Sequence, residues 1–302
     1  MLSFRLFQRL CSILLFLICF NPDANSQCTG SVSEADSLEL VDFYNDLSGD
    51  DWVNNSGWLV DPVSEWVGIT LNDQVNENGD CTVGEIFFQA KGLSGVLGDY
   101  QFPELHTLSI LDEIYISGEL PELGGMVSLI EVNLARLQLT GNLSNISPLP
   151  NLVKLNLKRN SLSGEIPDFN GMEQLEILDL AVNNFSGTVP DFSGLSNLIL
   201  LNISSNDLQG EFPDFSSLPE LTELRFGSNA FTGNLPYFSG LPKLEIIWAY
   251  GCGLGGEFPD LNLPELRGIY FNNNNFSGEM PDFSGIPNLR IMTLRIIIFL
   301  EI

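Results

Sequence analysis

Residues 151–167 read NLVKLNLKRNSLSGEIP, and residues 174–190 read QLEILDLAVNNFSGTVP, the same pattern moved on by 23 positions. Asn160, Asn183, Asn206 and Asn229 keep that spacing, and Asn274 follows 45 residues later with Cys252 in the slot between. Around each lie leucine-like residues at fixed offsets, such as Leu152, Leu155, Leu157 and Leu162 around Asn160, or Leu198, Leu201, Ile203 and Leu208 around Asn206. Self-similarity of this kind marks a solenoid, because no single copy can bury its own apolar face. The Leu-x-x-Leu-x-Leu stretch predicts a short strand with alternate side chains inward, stacked on its neighbours as a parallel sheet at ~4.8 Å spacing. The asparagines are placed to bond backbone groups of adjacent turns where the chain leaves the strand. Asn160, Asn183, Asn206, Asn229 and Asn274 are therefore expected as a buried structural column.

Outward from this core the phase weakens but persists. Leu129, Val132, Leu134 and Leu139 fit with Leu137 in the Asn slot, and Val83, Ile86, Phe88 and Leu93 fit with Lys91 there. Leu105, Leu108 and Ile110 sit one residue out of step with Ile116-Ser117-Gly118, which predicts a bulge in that turn. A tenth turn opens with Leu289, Met292 and Leu294, and the end at Ile302 without a polar capping repeat reads as a truncation.

The second half of each repeat is distinctive. Ser163-Gly164-Glu165-Ile166-Pro167 recurs as Ser186-Gly187-Thr188-Val189-Pro190 and as Ser277-Gly278-Glu279-Met280-Pro281. This closely resembles the L-x-G-x-I-P pattern of plant-type leucine-rich repeats, over about residues 83–294. The resemblance is to secreted proteins and receptor ectodomains, including receptor-like kinase ectodomains and polygalacturonase inhibitors. It implies an α/β solenoid, a curved right-handed superhelix with a parallel concave β-sheet and an N-terminal helical cap. A second column follows the proline: Asp168-Phe169, Asp191-Phe192, Asp214-Phe215 and Asp282-Phe283, with Tyr237-Phe238 and Asp260-Leu261 as variants. The phenylalanines are expected as a core ladder on the convex side, and the aspartates as caps of short turns rather than a metal-binding stripe.

Residues 27–82 lack the repeat and are expected to cover the open end of the core. Ser33-x-x-Asp36 reads as a capping box ahead of Leu40, Phe43, Tyr44 and Leu47 at helical spacing. Trp52, Trp58 and Trp66 follow, more naturally core than sugar-stacking residues. The segment resembles the N-terminal cap of secreted leucine-rich-repeat proteins. It departs from the plant form at Thr70, where that form has cysteine at the end of Trp66-Val67-Gly68-Ile69.

Ahead of the cap, Arg5 and Arg9, then an apolar run from Leu10 to Phe20, and Ala24-Asn25-Ser26 predict a cleaved export signal over 1–26. The apolar run is too short to span a bilayer, as is Ile296-Ile297-Ile298-Phe299-Leu300 near the other end. The domain reading is thus signal 1–26, cap 27–82 and solenoid 83–302, in a protein secreted or held at the cell surface. In that oxidising setting Cys28 and Cys81, which bracket the cap, are the candidate disulfide, and Cys252 inside a repeat is left as a buried thiol.

Composition and motifs narrow the function. A formal charge of −27 repels phosphate backbones, so nucleic acid is excluded as a partner. Gly251-Cys252-Gly253-Leu254-Gly255-Gly256 matches G-x-G-x-x-G but shares the phase of every other repeat and opens no helix, so no dinucleotide cofactor is expected. Gln74-x-Asn76-x-Asn78-Gly79 with Glu85 is a poor calcium loop, and His106, the single histidine, has no nucleophile motif beside it. No cofactor, metal site or catalytic residue is assigned. The informative surface is the concave face, where Asn133, Asn156, Asp179, Asn202, Arg225, Trp248 and Tyr270 lie between the inward residues, with Tyr250 one step round. Arg225, Trp248, Tyr250 and Tyr270 are residue types enriched at binding hot spots. They are the candidate ligand-binding residues for a protein, peptide or polysaccharide. Alternatives are a receptor-kinase ectodomain fragment, an inhibitor of a wall-degrading enzyme and an adhesin or spacer; oligomeric state is left open. Sequons occur at Asn54, Asn142, Asn145, Asn184, Asn202 and Asn275, and a glycan on Asn202 would obstruct the concave face.

Overall fold

A computed structural model describes Cys28 and residues 31–297, except 144–145, 214, 237, 239, 280–281 and 295 and the side chains of 296–297. The segment 1–26, Asn145, Asp214, Tyr237, the Met280-Pro281 step and most of the 296–300 run lie outside the described residues. Eleven strands form one sheet, from Ile69–Val75 and Cys81–Gln89 through Lys154–Asn156 and Ile177–Asp179 to Ile291–Thr293. The first pair is antiparallel, and the later pairs are parallel and in register. Leu155 thus lies beside Leu178, followed by Leu201, Leu224, Ile247, Ile269 and Met292. From Leu155 to Ile269 these side chains are fully buried. Burying a leucine or isoleucine contributes ~2 kcal/mol, and here each gains it only with a turn on either side.

The asparagines cross-link those turns. Asn206 Oδ1 accepts the Phe185 amide at 3.1 Å, and its Nδ2 donates to the Leu180 and Ile203 carbonyls, both at 3.1 Å. Asn183 repeats this with Leu162, Leu157 and Leu180. Asn160 and Asn229 do the same one turn earlier and later. Asn274 accepts from Cys252 and Leu254 and donates to Ala249 and Phe271. Asn183 and Asn206 are buried, while Asn160, Asn229 and Asn274 are half-buried with the same bonds. Just before the slot the chain takes a left-handed residue turn after turn, among them Arg136, Arg159, Val182, Ser205, Ser228 and Asn273, with φ of 56–61°. This redirects the backbone out of the strand at a local cost of ~1 kcal/mol or more per non-glycine residue.

The Leu-x-Gly segments build second sheets that the sequence pattern had not disclosed. Ser163–Gly164, Asn184–Gly187, Asp207–Glu211 and Ala230–Thr232 form one, with three-stranded sheets before and after it. Glycine is required here: Gly187 has φ 83°, and a Cβ on it would stand 3.0 Å from Glu165 of the preceding turn. On the convex side Phe192 packs between Phe169 at 6.3 Å and Phe215 at 6.1 Å, all three buried. Asp191 Oδ1 accepts the Ser193 amide and Asp282 Oδ1 the Ser284 amide, so these exposed carboxylates cap local turns.

Two local expectations are corrected. The irregular turn carries no bulge in its strand, since Leu108 stays in register with Ile86 and Val132. The extra residue falls between Glu113 and Ile116, while buried Glu113, five residues after Leu108, holds the asparagine slot and accepts the amides of Lys91, Gly92 and Leu93. The capping box is half made: Ser33 Oγ accepts the Asp36 amide at 3.1 Å, but Asp36 Oδ2 turns away to accept the Val83 amide at 2.7 Å. That bond fastens the helix Glu34–Asp46 to the second strand of the sheet. Burial nonetheless raises the Asp36 carboxyl pKa.

The rest of the cap is an aromatic plug. Phe43, Tyr44, Trp52, Trp58 and Trp66 are all buried, with Trp52 edge-on to Trp58 at 5.0 Å. The indole N–H groups donate to the Leu47, Val67 and Asp61 carbonyls, which satisfies their polar ends and leaves no ring face for a sugar. Cys28 and Cys81 are bonded, with Cα atoms 5.7 Å apart. The calcium-like stretch is a hairpin turn in which Asn76 Oδ1 accepts the Asn78 and Asp80 amides.

The concave face as candidate functional site

Parallel register turns the outward residues of the concave strands into columns. Asn156, Asp179, Asn202, Arg225, Trp248, Tyr270 and Thr293 are successive partners across the sheet. Beside them runs a second column of Lys154, Ile177, Leu200, Glu223, Ile246, Gly268 and Ile291. The chemistry of both changes along the solenoid.

From Glu131–Asn133 to Leu200–Asn202 the column of Asn133 is polar and closed. Asn133 is 9% exposed, and its Oδ1 is buried without a hydrogen-bond partner. Lys154 Nζ pairs with Glu131 at 2.6 Å across neighbouring strands, and Lys158 Nζ lies 3.8 Å from Asp179. Burial raises the Glu85 carboxyl pKa, with the Glu131 charge adding to it. Asn202 is 3% exposed, and its Oδ1 accepts both the amide and the hydroxyl of Ser204. It thus stands in the outward column where alternation places it, but closed off from solvent.

Toward the C-terminal end three of the four candidate residues come together. Trp248 stacks on Tyr270 with ring centroids 3.7 Å apart and planes at 7°. On the Arg225 side the guanidinium carbon lies 5.8 Å from the Trp248 ring centroid, within cation–π range. Glu223 holds that guanidinium by accepting from Nε at 2.7 Å and Nη2 at 2.6 Å. Tyr250 stands apart on the adjoining column, its hydroxyl accepting from Asn273 Nδ2 at 2.8 Å. Trp248 is 37% and Tyr250 43% exposed. Sequence reasoning missed the residues around this stack. Ile246 is half-buried and Ile291 50% exposed, and Gly268 between them carries no side chain. A Cβ on Gly268 would stand 3.3 Å from Tyr270 Cε2, so this glycine is what lets the Tyr270 ring lie flat. Arg267, paired with Glu245 at 3.1 Å, and exposed Arg290 stand on the rim where these strands begin. Fixed outward alternation in a half-open column was the signal that would have found them.

Beneath the face, Cys252 replaces the ladder asparagine. Its thiol donates to the Phe226 carbonyl at 3.4 Å, and burial pushes its pKa up to about 12. The His106 amide donates to the Gly84 carbonyl, and its own carbonyl accepts the Ile130 and Glu131 amides. Among the described residues no cluster of His, Cys, Asp and Glu has the arrangement of a metal site, and no helix is long and apolar enough to cross a membrane.

Stacked strands, asparagine ladder and second sheets define a leucine-rich-repeat solenoid, and the Leucine Rich Repeat family profile matches residues 151–171. In its fold the chain is similar to plant leucine-rich-repeat receptor ectodomains. It shares 29% identity with a TDR receptor at a TM-score of 0.59, covering 68% of this chain and 38% of that one. The plant peptide hormone receptor RGFR1, solved in complex with RGF2, is 26% identical at a TM-score of 0.57, over 77% of this chain and 45% of that one. PEPR1–AtPEP1 superposes at a TM-score of 0.72 with 22% identity, over 88% of this chain and 42% of that one. The chain therefore spans less than half the length of each. No curated protein sequence matches it.

Proposed function

We propose that this protein is an extracellular recognition module that binds a peptide, protein or polysaccharide on its concave face, with Arg225, Trp248, Tyr250 and Tyr270 as the binding residues. The observation that carries the reading is the Arg225–Trp248–Tyr270 stack, a row of large side chains set outside the leucine core and partly open to water. Such a row adds little to a core already closed beneath it, whereas desolvated aromatic and arginine contacts contribute ~2 kcal/mol or more at an interface. The disulfide between Cys28 and Cys81 and the likeness to receptor ectodomains support a place outside the cell. The same likeness supports a binding role rather than an enzymatic one. The test is a binding screen of intact protein against peptides and oligosaccharides. Trp248→Ala is expected to weaken the hit at least roughly tenfold, about 1.4 kcal/mol, and Asp191→Ala on the convex side to leave it unchanged. The reverse ranking would move the site to the convex face.

A further inference from the structure

We infer that two copies of this chain pair about a two-fold axis through the flank of the first turns, over the sheet of Ser94–Val96, Tyr115–Glu119 and Gln138–Thr140. These short strands turn alternate side chains outward, with Tyr115 beside Ser94 and Val96 beside Ser117. Val96, Ile114 and Tyr115 are each more than half exposed. Val53, more exposed still, joins them where its amide donates to the Lys91 carbonyl at 2.8 Å. In later turns the Tyr115 position holds Gln138, Ser161, Asn184, Asp207 and Ala230. Large apolar groups are thus gathered at one end of a flank that is otherwise polar, which marks an interaction site rather than a scattering of surface residues.

Charge is divided across this patch. Where the strands begin stand Lys91, Arg136 and exposed Arg159, and the Arg136 amide donates to the Lys158 carbonyl of the next turn. Of the carboxylates beside them, Asp112 pairs with Arg136 at 2.9 Å, and Glu113 is buried against the Lys91, Gly92 and Leu93 amides. Where the strands end, exposed Asp99, Glu119 and Glu122 border a cavity of about 500 Å³ that Val96, Leu120 and Ile146 also line. Tyr115 and Glu119 are four residues apart on one strand, ~13 Å along it. Opposite charges on either side of an apolar centre make the patch complementary to itself. A half-turn about an axis through Tyr115 and Val96 sets the cations of one copy over the carboxylates of the other, and the reverse, so both contacts form at once. A partner of single sign would satisfy only one side. The formal charge of −27 opposes contact elsewhere on the surface, and screening to ~8 Å at physiological salt leaves the local pattern to decide. The concave columns lie on the other sheet, so both copies keep that face open.

Sedimentation velocity of the intact protein is expected to show its mass moving from one copy to two between about 1 and about 100 µM, the range of a small interface between separable partners. Tyr115→Ser weakens the pair at least roughly tenfold. Arg136→Glu with Arg159→Glu, and separately Glu119→Lys with Glu122→Lys, each leave single copies over that range. An equal mixture of these two proteins pairs again, because opposite charges then face each other across both contacts. Hydroxyl-radical footprinting of the unsubstituted protein gives a reading that needs no variant: Tyr115 loses modification as concentration rises, and Tyr250 does not. Single copies throughout, growth beyond two copies, or a pair indifferent to Tyr115→Ser each overturns the inference. So does a mixture that stays apart although both of its proteins unfold in urea where the intact protein does, or Tyr115 modified alike at every concentration.

Discussion

At the strand Glu131–Asn133 the concave face ends in Asn133, 9% exposed, whereas at Ile246–Trp248 the same column position carries Trp248, 37% exposed. Both strands have one backbone register, one leucine core and one parallel pairing on either side. The strands from Glu131–Asn133 to Leu200–Asn202 spend that column on short polar groups, and beside it a Lys154–Glu131 pair joins neighbouring strands. The C-terminal end spends its outward positions on rings, an arginine and isoleucines whose edges stay open. A solenoid allows this because scaffold and outward side chains are separate: the inward column holds the fold, and the outward column is free to differ from turn to turn.

The largest expected effect sharpens that separation from beneath the C-terminal half. Cys252, its thiol pKa pushed up by burial to about 12 from an ordinary 9.0, should react with iodoacetamide at pH 8 about a thousandfold more slowly than an unperturbed thiol. The sign follows from the raised pKa: thiolate is suppressed below about pH 12 while the protein is folded and returns when it unfolds. Alkylation followed by mass spectrometry in native buffer and in urea reads this directly. Rapid native labelling would mean that the turn under Tyr250 opens.

Next in size is the ladder. Asn206→Ala leaves the Phe185 amide without its acceptor and takes one of two asparagine donors from each of the Leu180 and Ile203 carbonyls, which keep Asn183 and Asn229, and a buried group left unpaired costs ~1–3 kcal/mol. A loss of about 2 kcal/mol is expected in urea unfolding, and Asn183→Ala should match it. Unequal losses would show that the halves differ in scaffold as well as in surface. Smaller again is Trp248→Ala, which should lower stability by about 1 kcal/mol through the lost stack while Asn156→Ala leaves stability and any bound peptide unchanged. Smallest is Asn133→Val. Because its Oδ1 has no partner, removing it should leave the unfolding free energy within ~0.5 kcal/mol or raise it. A clear destabilisation would reveal a hidden partner for that oxygen.

The core was legible because a periodicity of 23 residues has one structural solution, and the ladder followed from what an asparagine at the strand exit must bond. The second sheets were not, since segments of two to five residues built around a glycine carry too little alternation from which to read a strand. Glu113 holds the asparagine slot five residues after Leu108, and it escaped because a carboxylate in an acidic chain gave no reason to be singled out. Of the candidate site, the outward positions of Arg225, Trp248 and Tyr270 could be read from alternation. Their stacking could not, because it depends on the missing side chain at Gly268 in the neighbouring column. Asn202 stands in the column that alternation gave it, but the same outward position that exposes Trp248 leaves a short side chain bonded to Ser204 closed from solvent.

Hydroxyl-radical footprinting tests the account most directly, since Trp248, Tyr250 and Tyr270 oxidise readily and their modification is read residue by residue. With a selected peptide at saturating concentration, Trp248 and Tyr270 are predicted to lose most of their modification. Tyr115, 66% exposed on a second-sheet strand, should keep its own. Unchanged oxidation of Trp248 and Tyr270 beside protection of Tyr115 or of the convex turns would contradict the assignment of the C-terminal concave face as the binding surface.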